Sequence, residues 1–174
     1  MTTDNTELLE VVDKDGTVIG LAERSELHHN PSLIHRVVHV LIFNKEGDLL
    51  LQKRSFKKDI EPGKWDTSVG GHINPGEVDR NAAEREMKEE LGAEGCAMVF
   101  LYTYLFSNER ESELVSTFSC VYEDDINFNG EEIDEVRYWN LEEIRETIGK
   151  GTFSSHFEEE IQRYLRMEAN WRLS

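Results

Sequence analysis

The sequence predicts an α/β domain in which helices cover both faces of a mixed β-sheet. Three observations favour this fold class. Short β-branched and aromatic segments alternate with turn residues along much of the chain, one long helix-favouring segment interrupts them after Gly71, and two helical segments follow the last strand. The length of 174 residues suits one domain with a substantial core, so we assign residues 1–174 to a single domain.

The N-terminal part of the chain contains two predicted β-hairpins. In each hairpin, two apolar segments flank a short turn that ends in glycine, which supplies the positive φ angle that such turns require. The four segments are residues 8–13 and 17–22, on either side of Gly16, and residues 36–44 and 48–52, on either side of Gly47. We interpret residues 1–30 as an N-terminal extension that carries the first hairpin.

A polar loop and three more strands follow the hairpins. The loop spans residues 55–64 and contains Pro62 and Gly63. β-Branched and aromatic segments predict the strands at residues 99–107, 113–123 and 136–139. The acidic segment that ends at Glu135 separates the last two strands and is interpreted as a loop.

Two helices are predicted at the C-terminal end. Asn140 can cap a helix over residues 141–148, and Ser154 or Ser155 can cap a final helix that ends near residue 170. Apolar side chains recur at helical spacing in the final helix and predict a buried face, formed by Phe157, Ile161, Tyr164 and Leu165.

Composition limits the classes of function. Cys96 and Cys120 are too few for a disulfide framework, and no apolar run reaches the roughly 18 residues of a membrane span, so we expect a cytoplasmic protein. A net charge of −17 argues against nucleic acid as a partner, because a basic face is needed to bind it. A small phosphorylated substrate is compatible with this charge if metal ions lie between its oxygens and an acidic site. The charge therefore predicts strict metal dependence.

The segment that begins at Gly71 is interpreted as a loop that leads into a helix. A turn at Pro75 and Gly76 precedes helix-favouring residues, and Gly92 stands where a left-handed C-terminal cap is expected. At helical spacing the apolar and the acidic residues fall on two neighbouring stripes. The apolar stripe comprises Ala83, Met87 and Leu91, and the acidic stripe comprises Glu86, Glu89 and Glu90.

The acidic stripe has two interpretations. Carboxylates at these spacings repel each other by roughly 0.2–0.5 kcal/mol per pair. A divalent cation would remove that repulsion, and hard oxygen ligands suit Mg²⁺ or Mn²⁺. Arg85 is placed to hold one of the glutamates in a fixed rotamer. The alternative is a solvated acidic helix without a ligand.

The spacing around this helix favours the metal site. The fixed positions are a glycine, a glutamate, an arginine–glutamate pair, two further glutamates and a glycine, and they fall on Gly71, Glu77, Arg85, Glu86, Glu89, Glu90 and Gly92. This pattern, over residues 71–93, resembles the Nudix box at every fixed position, although Ala93 is smaller than the usual aliphatic residue. The resemblance implies the Nudix fold, an α/β/α sandwich, from about residue 33 to residue 165.

The resemblance also implies a reaction, the hydrolysis of a diphosphate linkage in a nucleoside di- or triphosphate or a derivative, with Mg²⁺ or Mn²⁺ as cofactor. Its catalytic metal ligands would be the carboxylates of Glu86, Glu89 and Glu90 and the carbonyl of Gly71. Arg85 would orient a glutamate, and Glu77 would support this group or add a ligand. In the family the general base sometimes lies outside the box, and the candidates here are Glu111, Glu113, Glu132 and Glu135.

Substrate contacts are predicted from charge and aromatic character. Basic side chains surround the loop before Trp65, namely Arg54, Lys57, Lys58 and Lys64. Arg54 is the favoured phosphate ligand because a guanidinium binds phosphate bidentately, and Lys64 is the second candidate. The alternative for Arg54 is a solvated strand end. An aromatic side chain can stack on a base or belong to the core, and the candidates are Trp65, Tyr104 and Phe106.

A second resemblance concerns residues outside the box. The stretch from Trp65 to His72 is similar to the isopentenyl-diphosphate isomerase branch of the superfamily, in which three histidines and two glutamates hold a metal. The matching positions are His28, His35, His72, Glu111 and Glu113. These residues would form a second metal site or part of the substrate pocket.

Two departures count against isomerase chemistry. The isomerase's cysteine would stand at Gly70, and glycine has no side chain that can move a proton. Isomerases also carry a degraded box, whereas every charged position is present here. We therefore expect a hydrolase. The alternatives are an isomerase of isopentenyl diphosphate and a non-catalytic nucleotide-binding module.

Overall fold

The structure, a computed structural model, describes residues 7–173 and contains nine strands and four helices over that range. The strands are β1 (Leu8–Val12), β2 (Val18–Glu23), β3 (Ile34–Phe43), β4 (Leu49–Arg54), β5 (Trp65–Asp66), β6 (Val69–His72), β7 (Val99–Ser107), β8 (Ser112–Val121) and β9 (Ile133–Trp139). The helices are α1 (Arg24–Leu27), α2 (Asp79–Leu91), α3 (Leu141–Thr147) and α4 (Ser155–Leu173). The predicted domain of residues 1–174 and its extension over residues 1–30 include positions 1–6, and the domain also includes Ser174; these positions lie outside the described residues.

β3 is the centre of the sheet, because four other strands pair with it. β8 runs parallel to β3 from Ile34 to Phe43, whereas β1, β4 and β6 pair with β3 in the antiparallel direction. β7 extends the sheet beyond β8, and β2 extends it beyond β1. The sheet is therefore mixed, as the sequence predicted.

The first predicted hairpin is confirmed and is attached to the segment that precedes α2. β1 pairs with β2 along its length. Glu10 on β1 accepts hydrogen bonds from Arg36 Nη2 at 2.6 Å and from the backbone N–H of Gly76 at 2.9 Å. One carboxylate thus connects the N-terminal hairpin, the central strand and the turn that leads into α2.

The second predicted hairpin differs from the structure. A tight turn joins β3 and β4, and Gly47 has the positive φ expected there, but the two strands pair only at Phe43 and Leu49. Both edges of β3 are occupied along the rest of its length, by β8 on one side and by β1 and β6 on the other. β4 therefore turns away and pairs with β5 and β9.

Two boundaries are corrected by the structure, and three short elements are added. Gly71 and His72 were predicted in a loop but end β6, because β6 pairs with β3 there. β9 begins at Ile133 within the predicted acidic loop, because Ile133 is buried and pairs with Arg54. The strands β5 and β6 and the single-turn helix α1 were not predicted.

Helix α2 covers one face of the sheet. Its buried side chains, Ala82, Ala83, Met87 and Leu91, include the predicted apolar stripe. They pack in one core cluster with Val38, Val40 and Ile42 of β3. Gly92 ends the helix in the left-handed conformation with φ 64°, which confirms the predicted cap. The glutamates of the helix therefore remain free to face the edge of the sheet.

Helix α4 covers the opposite face. Phe157 and Ile161 are fully buried against β3 and β4, with Tyr164 and Leu165 beside them, so the predicted apolar face is core. Asn140 accepts a hydrogen bond from the N–H of Glu142 and caps α3 as predicted. Two helical layers on a mixed sheet form the predicted α/β/α arrangement. Within residues 7–173, no helix combines the length and the apolar character needed to cross a membrane.

Candidate active site

Arg85 on α2 holds the loop that precedes this helix. Its Nε and Nη2 donate to the two carboxylate oxygens of Glu77, at 3.0 and 2.9 Å, and Nη2 also donates to the carbonyl of His72 at 2.9 Å. Its Nη1 contacts Glu86 Oε1 at 2.6 Å and Glu89 Oε2 at 3.4 Å. The hydrogen bond from Arg85 holds the pKa of Glu77 below its ordinary value. One guanidinium thus contacts three of the four glutamates of the box.

Glu86 lies against Gly71 at the edge of the sheet. A β-carbon at position 71 would lie 2.1 Å from Glu86 Cδ, so any side chain there would force the Glu86 carboxylate to move. Because side chains alternate along a strand, Gly71 faces α2 while Gly70 and His72 face the other side of the sheet. Burial raises the pKa of Glu86, and its contact with Arg85 opposes that rise.

Glu90 is enclosed between α2 and the sheet. It accepts a hydrogen bond from Gln52 Nε2 at 2.9 Å and another from the backbone N–H of Gly70. Burial, with an added contribution from Glu86, raises the pKa of Glu90 to about 8. A cation can replace the proton of such a carboxyl and stabilise its charge. The neighbouring Glu89 is 58% exposed, so the enclosed glutamates are the better candidate ligands.

The histidines and glutamates outside the box converge on a second cluster. One ligand atom each from His28, His35 and His72 lies within 4.8 Å of the others, and the same is true of His35, Glu111 and Glu113. His35 and Glu113 are paired neighbours on β3 and β8, which explains why residues so distant in sequence meet. We call these five residues the histidine cluster.

The chemistry of the histidine cluster fits a divalent cation. Both ring nitrogens of His35 and one oxygen each of Glu111 and Glu113 are buried without a hydrogen-bond partner among the described residues. Their contacts are longer than good hydrogen bonds: His35 Nε2 lies 3.6 Å from Glu113 Oε1, and His28 Nε2 lies 3.5 Å from Glu111 Oε2. Buried polar atoms without hydrogen bonds are unfavourable unless a ligand binds them. Burial lowers the pKa of His28 to about 4 and that of His72 to about 3, so both rings are neutral at pH 7. Neutral imidazole is the form that binds metals.

One cavity joins the box and the histidine cluster. Its volume is about 930 Å³, and its lining includes Gly71, Glu86 and Glu90 as well as His28 and His72. Three of the four candidate general bases also line it, namely Glu111, Glu113 and Glu132. The fourth, Glu135, lies opposite Lys53 in the pairing of β9 with β4. A cavity of this size can hold a nucleotide or a similar small molecule.

The predicted phosphate ligands separate in the structure. Arg54 lines the cavity, where its Nη1 contacts Asp66 Oδ2 at 3.1 Å and its Nε donates to the carbonyl of Ile60 at 3.1 Å. The ammonium of Lys64 instead donates to the carbonyl of Gly151, away from the residues that line the cavity. We therefore retain Arg54 and not Lys64 as a candidate phosphate ligand.

The three candidate aromatic residues also differ in position. Trp65 packs against Trp139 in the core beneath α4, with ring centroids 5.3 Å apart. Tyr104 is buried, and its hydroxyl donates to Glu160 at 2.7 Å. Phe106 lines the cavity and stacks on His156 with a centroid distance of 3.9 Å. Of the three, only Phe106 is placed to contact a substrate.

Sequence reasoning missed several polar residues at the cavity. Gln52, His39 and His156 all line it, and the first of them donates to Glu90. His39 interrupts the apolar run of β3, and this isolated polar residue was the available signal. A single polar residue in a strand does not reveal its partner, because strand pairing is non-local.

Comparisons with known sequences agree with the box. The family described as the NUDIX domain matches residues 33–157. The isopentenyl-diphosphate Delta-isomerase of Streptomyces avermitilis is 34% identical over 156 residues, which cover 86% of this chain and 79% of that protein. An uncharacterized Nudix hydrolase of Pseudomonas aeruginosa is 33% identical over 132 residues, which cover 76% of this chain and 78% of that protein.

Comparisons with solved structures agree on the fold. The structure of DR0079 from Deinococcus radiodurans superposes with a TM-score of 0.79 at 24% identity and covers 90% of this chain and 98% of that one. The structure of a MutT protein from Methanosarcina mazei has a TM-score of 0.68 at 26% identity and covers 80% of this chain and 96% of that one.

Proposed function

The chain belongs to the Nudix family of hydrolases, and we propose that it cleaves the phosphoanhydride linkage of a nucleoside di- or triphosphate, or of a derivative, with Mg²⁺ or Mn²⁺ as its cofactor. The observation that carries this proposal is the arrangement around Arg85. A single guanidinium orients Glu77 and Glu86 beside Gly71, and Glu90 lies enclosed at the same edge of the sheet. The box is therefore intact in space as well as in sequence.

Some residues of the box would bind the cation directly, and others would orient those ligands. Glu86 and Glu90 would bind it together with the carbonyl of Gly71, and the exposed Glu89 would complete the set from the solvent side. Arg85 would keep Glu86 in its rotamer through the 2.6 Å contact. A bound divalent cation neutralises charge on the phosphate oxygens and lowers the pKa of a coordinated water.

The cavity would then receive the substrate. Arg54 faces it with a guanidinium that can bind phosphate, although Asp66 is its present partner. Phe106 offers a ring face at the wall of the cavity. Glu111, Glu113 and Glu132 remain the candidate general bases because they line the same cavity.

We also propose that the histidine cluster holds a second divalent cation. Its buried polar atoms without hydrogen bonds and its neutral imidazoles support this role. Imidazole ligands suit Mn²⁺ and Zn²⁺ better than Mg²⁺. The two cations would then differ in kind, since the box offers oxygen ligands.

Isomerisation of isopentenyl diphosphate is the second candidate function. The similarity to a protein of that name and the histidine cluster both favour it. The surroundings of Gly70, where the isomerase's cysteine would stand, argue against isomerisation. A β-carbon at position 70 would lie only 3.2 Å from His39 Cδ2. A larger side chain would require the ring to move. A non-catalytic nucleotide-binding module is the third candidate. It does not explain why every carboxylate of the box is present.

A phosphate-release screen separates the three candidates. The purified protein would be offered nucleoside di- and triphosphates, nucleotide sugars, dinucleotides and isopentenyl diphosphate, with Mg²⁺, with Mn²⁺ and with a chelator. We expect release from at least one phosphoanhydride, abolished by the chelator. Conversion of isopentenyl diphosphate without phosphate release would establish the isomerase instead. Tight binding of a nucleotide without turnover would establish the module.

A further inference from the structure

Glu160 of α4 is a fully buried carboxylate that four donors surround. Oε2 accepts from His39 Nδ1 at 2.5 Å and from the hydroxyl of Tyr104 at 2.7 Å. Oε1 accepts from the hydroxyl of Tyr102 at 2.7 Å and from that of Thr117 at 3.0 Å. These partners come from β3, β7 and β8, so every side of the carboxylate is fixed. The function described above uses none of these contacts.

His39 connects this carboxylate to the cavity. Its Nδ1 faces Glu160, and the ring reaches the cavity wall beside Gly70, its paired neighbour on β6. A β-carbon at position 70 would be 3.3 Å from His39 Nε2. Among residues 7–173, Nε2 has no hydrogen-bond partner, and it retains some exposure to solvent. The glycine thus leaves Nε2 open toward the cavity.

The surroundings of the pair favour its ionised form. Burial would lower the pKa of His39, but the hydrogen bond and the charge of Glu160 raise it above the ordinary value. Burial would raise the pKa of Glu160, but His39 and the two tyrosines lower it to about 2. Glu113 and Asp66 add negative charge near His39. Burial and the charge of His39 lower the pKa of His156, whose ring centroid is 4.6 Å away. An imidazolium donates from both nitrogens, so Nε2 presents an N–H to the cavity.

We propose that His39 is a substrate-contacting residue: its Nε2–H donates a hydrogen bond to an anionic phosphate oxygen of the bound diphosphate, and Glu160 is the positioning residue that fixes the ring. This inference deepens the proposed function and rests on it. Gly70 is part of the proposed contact site, because any side chain at position 70 would lie against His39 Nε2. The site thus places a fixed cation beside Gly70, in a cavity otherwise rich in carboxylates.

A purely structural role explains the pair less well. A buried ion pair is often no more stabilising than apolar residues of similar volume, and the surrounding core supplies such residues in quantity. A structural pair would also have both ring nitrogens bonded within the protein. Here one nitrogen is bonded and the other faces the cavity between the box and the histidine cluster.

The test is binding of methylenediphosphonate, a diphosphate analogue that cannot be hydrolysed, measured by calorimetry in the presence of Mn²⁺. We expect His39→Gln and Glu160→Gln to weaken its binding at least tenfold. The double variant should lose no more than His39→Gln alone, because Glu160 acts through His39. The affinity for Mn²⁺ in the absence of the analogue should be unchanged in all three. Glu46→Gln is the control, since this exposed glutamate does not line the cavity.

Gly70→Ala keeps the test decisive if a buried variant fails to fold. It leaves His39 and Glu160 intact and places a methyl group against Nε2. We expect it to weaken binding of the analogue at least tenfold while binding of Mn²⁺ is retained. Gly20→Ala is its control, because a β-carbon at position 20 would meet no atom within 4 Å.

The outcomes separate this inference from the proposed hydrolase. Unchanged binding of the analogue in Gly70→Ala and in whichever of the buried variants folds would overturn the role of His39 even if the wild-type protein hydrolyses nucleotides. Loss of binding in these variants would support the role even if no phosphoanhydride were cleaved. A wild-type protein that does not bind the analogue at all would contradict the inference as well.

Discussion

The carboxylate of Glu86 occupies the space that a side chain at position 71 would need. Gly71 is the first fixed residue of the box, and it stands fifteen positions before Glu86 in the sequence. Because β6 ends at the N-terminal side of α2, the two residues meet at the edge of the sheet. Glycine at position 71 is therefore favoured for a steric reason: without a β-carbon there, the Glu86 carboxylate can lie against the end of β6.

Gly71→Ala should strongly reduce activity while the protein still folds. The new methyl group must displace the Glu86 carboxylate, which is half-buried and held by Arg85. We expect kcat to fall about 100-fold or more, as for loss of one preorganised charge at an active site. Gly20→Ala, on an open part of β2, should retain full activity. Equal activity in the two variants would mean that the position of Glu86 is unimportant.

Glu86→Gln should reduce turnover without loss of the fold. The amide cannot supply the anionic oxygen that a divalent cation prefers, so we expect kcat to fall by roughly 100-fold or more. Glu84→Gln on the same helix changes an exposed carboxylate and should have no effect. Steady-state kinetics with Mn²⁺ and thermal unfolding of both variants check this. A Glu86→Gln enzyme as active as Glu84→Gln would remove Glu86 from the site.

Arg85→Lys should lower both activity and stability. A lysine cannot bind both oxygens of Glu77 and reach the His72 carbonyl and Glu86 as well. We expect the free energy of unfolding to fall by about 2 kcal/mol, from the loss of charged hydrogen bonds, and kcat to fall at least tenfold. In Arg80→Lys the ammonium can replace the single bond to the Met98 carbonyl, so little change is expected. Denaturant unfolding and kinetics on both variants test the difference.

The stability of the metal-free protein should depend on pH through Glu90. Its pKa of about 8 in the folded state exceeds the ordinary 4.5, so the folded state holds a proton that the unfolded state releases. The contribution of this proton to the free energy of unfolding is complete below pH 4.5 and is lost as the pH rises through about 8. Between these two values the free energy of unfolding falls by about 1.4 kcal/mol per pH unit. Glu90→Gln cannot ionise and should escape this loss.

Unfolding in a chelator at pH 6 to 8 tests this sign. The free energy of unfolding of Glu90→Gln minus that of the wild type should increase with pH. A difference that stays constant would mean that Glu90 is ionised throughout, in contradiction to its enclosed position.

The histidine cluster should bind a cation that is separate from the one at the box. His28→Gln removes one candidate ligand of the histidine cluster. We expect the affinity of the cluster for Mn²⁺ to fall about 10- to 100-fold, whether the cluster binds Mn²⁺ more weakly or more tightly than the box does. The exposed neighbour His29→Gln is a matched control and should bind Mn²⁺ like the wild type. Titration followed by electron paramagnetic resonance counts the sites. An unchanged titration of His28→Gln would leave the cluster as a wall of the pocket.

The sequence predicted the box well because its residues are local. Gly92, the apolar stripe and the stripe of glutamates depend on spacing along one helix, and that spacing is visible in the chain. The histidine cluster was predicted by resemblance, since its members lie just after α1, on β3 and β6, and at the start of β8, and no local pattern unites them.

The missed features are non-local. The parallel pairing of β3 with β8 places Glu113 beside His35, and no turn or spacing announces it. His39 and Glu160 are 121 positions apart and meet only through the packing of α4 on the sheet. The start of β9 was missed because acidic neighbours surround the buried Ile133. The contacts that set the charges around the cavity could therefore not be predicted from the sequence alone.

Anomalous diffraction from a crystal of the protein soaked in Mn²⁺ tests the central claim most directly. The account predicts a manganese peak bound by the carboxylates of Glu86 and Glu90 and the carbonyl of Gly71, and the loss of that peak in Glu86→Gln. A wild-type crystal without manganese at this edge of the sheet, from protein that hydrolyses a phosphoanhydride, would contradict the account.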